Sequence, residues 1–231
     1  MDAVARFAEL MSDPFVDPPL DELAFSIAAA FHPELDLREQ FARLDYIATS
    51  TSMPTVDGLV RRLFWGDTAL RGNEADYHDP ENSMLDAVLD RQLGIPISLS
   101  VVVIEVGRRL GLHLAGVSMP GHFLVRCIEL PEGDDGPDFV DAFHGGRRLD
   151  AAGCRALYES IGQDPLRWND RWLEPVDHRT IAVRMLNNLK SIFRGRGDLG
   201  RLRSVLQLRA GVPELAAAET GELRRLAAAL N

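Results

Sequence analysis

Along the first half of the chain the apolar positions recur at helical spacing. LDELAFSIAAAF (20–31) carries them on one face, with Asp21 and Glu22 in the first turn, where the positive end of a helix dipole favours them. LREQFARLDYIAT (37–49) repeats the pattern, and VDGLVRRLFW (56–65) adds a shorter helix. RGNEADYHDPEN (71–82) is a loop by its Gly, Asn, Asp and Pro content. Asn82 or Ser83 is then expected to cap a helix in MLDAVLDRQL, with Gly94 ending it and Pro96 opening the next at its first turn. That next segment, PISLSVVVIEVGRRLG, is apolar on nearly every side, as suits a helix buried all round.

After Gly111 the period changes. LAGVSM, HFLVRCIEL and DFVDAF are short, β-rich and separated by the turn stretches PG and PEGDDGPD, which predicts an antiparallel meander of about three strands. Helical spacing returns from Ala151 to about Ile161 and again in HRTIAVRMLNNLKSIFRG, GDLGRLRSVLQLRAG and VPELAAAETGELRRLAAALN. Between them GQDPLRWNDRWLEPVD is a connector. The expected fold is therefore α+β, with a domain at 1–175 and a helical tail at 176–231 that has the look of one tetratricopeptide-like unit.

Composition narrows the function classes. The 231 residues are 46% apolar, enough for a real core, and carry a formal net charge of −10. An acidic chain repels phosphate backbones, and the densest basic stretch, RGRGDLGRLR, is interrupted by Asp198 and lacks aromatic residues, so no nucleic-acid partner is expected. The two cysteines, Cys127 and Cys154, form neither a metal spacing nor a disulfide framework. MDAVARFAELMSDP lacks the pattern of a secretion signal, and no apolar run reaches the ~18 residues of a membrane span. A cytoplasmic protein without membrane contact is the expectation.

Three residues form an ordered set: Ser98 at the start of the apolar helix, His122 opening a strand, and Asp141 on the next strand. Chemistry of the thiol-protease kind needs a nucleophile at a helix N-terminus, a histidine to take its proton and an acid to fix the histidine tautomer. The stretches GNEADYHDPENSMLDAVLDRQLGIPISLSVVVIEVGRRLGL, GVSMPGHFLVR and VDAFHGGRRL resemble the SirB-type branch of the transglutaminase-like superfamily, and RMLNNLK resembles the start of that family's tetratricopeptide-like helices. The resemblance implies a papain-like core, a small antiparallel sheet packed on a buried central helix, and a Cys–His–Asp triad. On this sequence His122 and Asp141 match the last two positions, and Ser98, with Ser100 as the alternative, stands where the family places its cysteine.

Each candidate also has a plainer reading. Ser98 and Ser100 are types that cap helices or bond within the first turn. Glu105 lies two turns after Ser98, and a buried carboxylate there would pair with Arg62, Arg108, Arg109 or Arg126. Asp79 and Asn82 would hold the preceding loop and form a cleft wall, and His144 falls outside the sheet where it could line the cleft. Cys127 reads as a core thiol, whereas Cys154, after Gly153 at a helix start, could have a lowered pKa. Two functions follow. One is a catalytically degenerate domain whose cleft and tail bind a protein or peptide. The other is a serine hydrolase or acyltransferase using Ser98, His122 and Asp141. On either reading the helix start and His122 are expected to converge on position 98, so a cysteine placed there should be more reactive than Cys127 or Cys154. A metal-hydrolase reading of His122, Asp141 and His144 lacks a helix-spaced ligand pair, so no metal or other cofactor is expected.

Overall fold

The computed structural model describes residues 2–66, 69–129 and 136–229. The elements run α1 (Ala3–Leu10), α2 (Leu20–Ala29), α3 (Leu37–Thr49), α4 (Val56–Phe64), β1 (Arg71–Gly72), α5 (Leu85–Arg91), β2 (Leu93–Gly94), α6 (Pro96–Arg109), β3 (His113–Val117), β4 (Leu124–Glu129), β5 (Phe139–Asp141), β6 (Arg147–Leu149), α7 (Ala151–Ser160), β7 (Pro175–Val176), α8 (His178–Arg196), α9 (Leu199–Ala210) and α10 (Ala216–Ala229). The fold is mixed helix and sheet. No helix among the described residues is long and apolar enough to cross a membrane.

Helix α6 is the axis. Every residue from Pro96 to Gly107 is buried, because α2, α3, α4 and α5 enclose one side and β3 and β4 the other. The three expected strands form the middle of a five-stranded antiparallel sheet of order β6-β5-β4-β3-β7. The two edge strands are additions that the sequence pattern does not predict. At three and two residues, they are too short to show a period of two. Most of the turn expected at PEGDDGPD lies outside the described residues.

Side-chain alternation divides the sheet between two hydrophobic clusters. Val125, Cys127 and Val140 face α6 in the main core. Leu124 and Phe139 face the other way, onto Cys154, Leu157 and Tyr158 of α7. The main core also takes Ile181, Met185, Leu189 and Phe193 of α8 and Leu202, Val205 and Leu206 of α9, so one continuous cluster runs across residue 175.

Two local expectations are corrected. Helix α5 is capped at Met84 with no side-chain hydrogen bond, because the Asn82 amide is spent within the loop before it. It ends at Gln92, which adopts the left-handed conformation (φ 58°), and Gly94 instead pairs with Gly72 in the short parallel ladder β1–β2.

Candidate functional site

Asp141 is the last residue of β5, and the turn 142–146 returns the chain to β6. Gly145 and Gly146 both have positive φ (73° and 74°), a conformation that suits glycine and folds His144 back over Asp141. The His144 Nδ1 to Asp141 Oδ2 distance is 2.7 Å. On the other oxygen, His122 Nε2 lies 2.9 Å from Oδ1. The two imidazoles stack with ring centres 5.6 Å apart, and the Arg147 guanidinium donates to Oδ2 at 3.1 Å. Burial alone would raise the Asp141 pKa. The hydrogen bond from His122, and then the charges of His122 and His144, outweigh it and hold the carboxyl below its ordinary value. Asp141 and His122 are buried, and His144 is 37% exposed.

His122 does not open a strand. It precedes β4 by two residues because Arg184 of α8 takes its carbonyl at 2.7 Å. The same guanidinium donates to the Met119 carbonyl (2.9 Å) and to Ser118 Oγ, and stands over the Phe123 ring at 5.4 Å. The helix after the connector therefore positions the histidine. Phe143 links this cluster to the start of α6. Its ring meets the His122, His144 and Tyr77 rings edge-on, and it packs so closely on Gly72 that a Cβ there would fall 2.7 Å from it.

Ser98 is placed differently. It is buried in the first turn of α6, and its hydroxyl donates to the Asn82 carbonyl at 2.5 Å, with the Ile95 carbonyl at 3.2 Å. It also accepts from Ile95 N–H at 3.1 Å, half of a capping box. Gly94 backs it so tightly that a Cβ there would lie 2.9 Å from the hydroxyl. No hydrogen bond joins Ser98 to His122 among the described residues. Asn82 is the hub of this second cluster. Its amide donates to the carbonyls of Asp76 (2.8 Å) and Tyr77 (3.3 Å) and accepts from Asn73 (3.0 Å). Ser100 Oγ is fully buried and has no hydrogen-bond partner among the described residues.

The remaining candidates have structural surroundings. Asp79 accepts from Glu81 N–H and pairs with Arg91 at 2.6 Å, fixing the turn that carries Asn82. Glu105 lies at the far end of α6, about 10 Å from Ser98 along the helix axis. Its Oε2 receives Arg108 (2.9 Å) and Arg109 (2.7 Å), both also bound to Asp21. Burial, and next the Asp21 charge, raise the Glu105 pKa against those arginines. Cys154 is not activated. Burial first, then the charges of Asp141 and Asp150, push its thiol up to about 12. Sequence reasoning missed Arg147, Phe143 and Arg184. The Gly-Gly pair was the available signal for the first two, since it marks a tight return that must bring the flanking residues onto Asp141.

Residues 20–187 match the family described as the transglutaminase-like superfamily. The chain belongs to that superfamily. A UPF0162 protein of Xylella fastidiosa (strain Temecula1) is 42% identical over 189 residues, covering 76% of this chain and 65% of the relative. A UPF0162 protein of Pseudomonas aeruginosa is 30% identical, covering 78% and 67%. F-box only protein 21 of Homo sapiens is 34% identical over 139 residues, covering 58% of this chain but 21% of that much longer protein. The chain thus spans about 65% of the length of the first of these relatives. No solved structure matches it significantly.

Proposed function

We propose that this is a SirB-type transglutaminase-like domain that keeps the histidine–aspartate half of an acyl-transfer site but has no poised nucleophile, and that it works by binding a protein or peptide. The observation that carries this reading is the hydrogen bonding of Ser98. A serine attacks only if its proton can pass to a base in the transition state. The Ser98 proton is directed at main-chain carbonyls, and its lone pair is held by Ile95 N–H. Tyr77 and His144 pack on Phe143 and Arg147 sits on Asp141, and these three side chains beside the His122 cluster are each at least one-third exposed. Tyrosine and arginine are the side chains that most often anchor protein interfaces. The recurrence of a related segment inside a far longer F-box protein supports its use as a portable module. The helical tail, read as a truncated tetratricopeptide-like unit, extends the binding surface, and the setting is cytoplasmic.

The second reading, a serine hydrolase, draws on the His122–Asp141 pair. His122 spends Nε2 on Asp141 and leaves Nδ1 as the nitrogen able to take a proton. A fluorophosphonate probe separates the two. The binding-module reading expects no labelling and no ester or amide hydrolysis that depends on His122. Labelling abolished by Ser98→Ala, with turnover lost in His122→Ala, would establish the hydrolase.

A further inference from the structure

We propose that His122, Asp141 and His144 bind one divalent transition-metal ion of the zinc class. Two imidazole nitrogens and a carboxylate bring their donor atoms within 4.8 Å of one another. The two nitrogen–oxygen separations are 2.9 and 2.7 Å. Donors bound to zinc at ~2.0–2.1 Å stand roughly 3.3 Å apart in a tetrahedral site, so from a widest separation of up to 4.8 Å an ion fits once the exposed His144 ring rotates inward by on the order of 1 Å. Two nitrogens and one oxygen suit zinc, cobalt(II) and their neighbours better than calcium or magnesium, which prefer all-oxygen shells.

The ligands are held in place before any ion arrives. Asp141 is fixed by β5, His144 by the Gly145–Gly146 turn, and the His122 turn by Arg184. On binding, each ring proton leaves the nitrogen facing Asp141 and resides on the outer nitrogen. His122 and Asp141 close the inner side of the cluster, while half-exposed His144 leaves the outer side for water or a ligand group. Arg147 is the built-in competitor. Its guanidinium shares Asp141 Oδ2, and being 51% exposed it can swing into solvent when an ion takes that oxygen.

This inference goes beyond the binding-module reading, which stands without it. The sequence offers these three residues but no helix-spaced pair; the 141–144 turn and the approach of His122, nineteen residues upstream of Asp141, bring their donors together instead.

The test uses the full chain, without a histidine tag and stripped by chelation. It is titrated with Co²⁺, followed by ligand-field absorption, and with Zn²⁺, followed by calorimetry. The expectation is one equivalent of either ion, affinity at least about tenfold weaker in His144→Ala, and tighter binding in Arg147→Ala. His144 and Arg147 are exposed hairpin residues, so both variants should fold. The proposal is overturned if the wild-type chain takes up no stoichiometric ion, if His144→Ala binds as well as wild type, or if Arg147→Ala weakens binding.

Discussion

The start of α6 and the end of β5 each bury a small polar cluster, and the two use their hydrogen bonds in opposite ways. Around Asn82 and Ser98 the partners are mostly main-chain groups, so the cluster closes on itself and fixes how the 73–83 loop meets the helix. Around Asp141 the partners are mostly side chains, two imidazoles and a guanidinium beside one long main-chain bond from His144 N–H, and each imidazole keeps a second nitrogen free of any hydrogen bond among the described residues. The first arrangement gives stability at the cost of reactivity. The second keeps groups that can move protons or bind ligands. A triad would need Ser98 from the first cluster and His122 and Asp141 from the second, and the hydrogen bonds of Ser98 run to main-chain groups of the first.

The largest effect expected from breaking this contrast is on the closed side. Asn82→Ala removes three side-chain hydrogen bonds, takes the acceptor from the buried Asn73 amide and leaves a void where a fully buried side chain stood. It should cost about 3 kcal/mol or more in urea unfolding. A loss under about 1 kcal/mol would mean that Asn82 is not the hub.

Arg184→Ala acts on the open side. It removes the donors that hold the Met119–His122 turn and should cost about 2 kcal/mol. Amide exchange should accelerate in residues 118–123 and not in 73–83. Equal acceleration in both segments would show that the clusters are not separately supported.

A smaller effect sharpens the closed side through pH. His32 Nδ1 lies 2.6 Å from Asp86, and its Nε2 is 3.3 Å from Glu81, the residue before Asn82. Burial lowers its pKa, but the Asp86 hydrogen bond and charge, then the Glu81 charge, raise it above the ordinary value overall. A raised folded-state pKa stabilises the protein fully below the unfolded value of about 6.5, and this stabilisation is lost as pH rises through the folded value. Solvent screening limits it to about 0.5 kcal/mol. His32→Gln should therefore lose stability at pH 6 and match wild type at pH 9. An equal loss at both would remove the charge argument.

Several amphipathic helices were legible from sequence almost to the residue, although α1 at Ala3–Leu10 was not read as a helix. Segment 37–49 is α3 as read, because one apolar stripe and a capping Asp36 define it. The buried central helix was legible for a different reason, its apolar residues all round. Strands β6 and β7 were not, since two or three residues carry no pattern and pair only because neighbours hold them there. Among the site residues, the His122–Asp141 pairing could be anticipated from order along the chain. The direction of the Ser98 hydroxyl could not. It depends on a carbonyl sixteen residues upstream and on the absence of a side chain at Gly94. Arg184 was hidden because it contributes from a helix that begins more than fifty residues after the turn it holds.

The most direct test of the central claim is the rate at which iodoacetamide alkylates the thiol of Ser98→Cys across pH, with and without His122→Ala. With position 98 facing the Asn82 and Ile95 main chain, the thiol should react no faster than free cysteine, and removing His122 should change nothing. A fast reaction with a midpoint well below that of an ordinary thiol, abolished by His122→Ala, would show that position 98 is aimed at the histidine and would contradict the account.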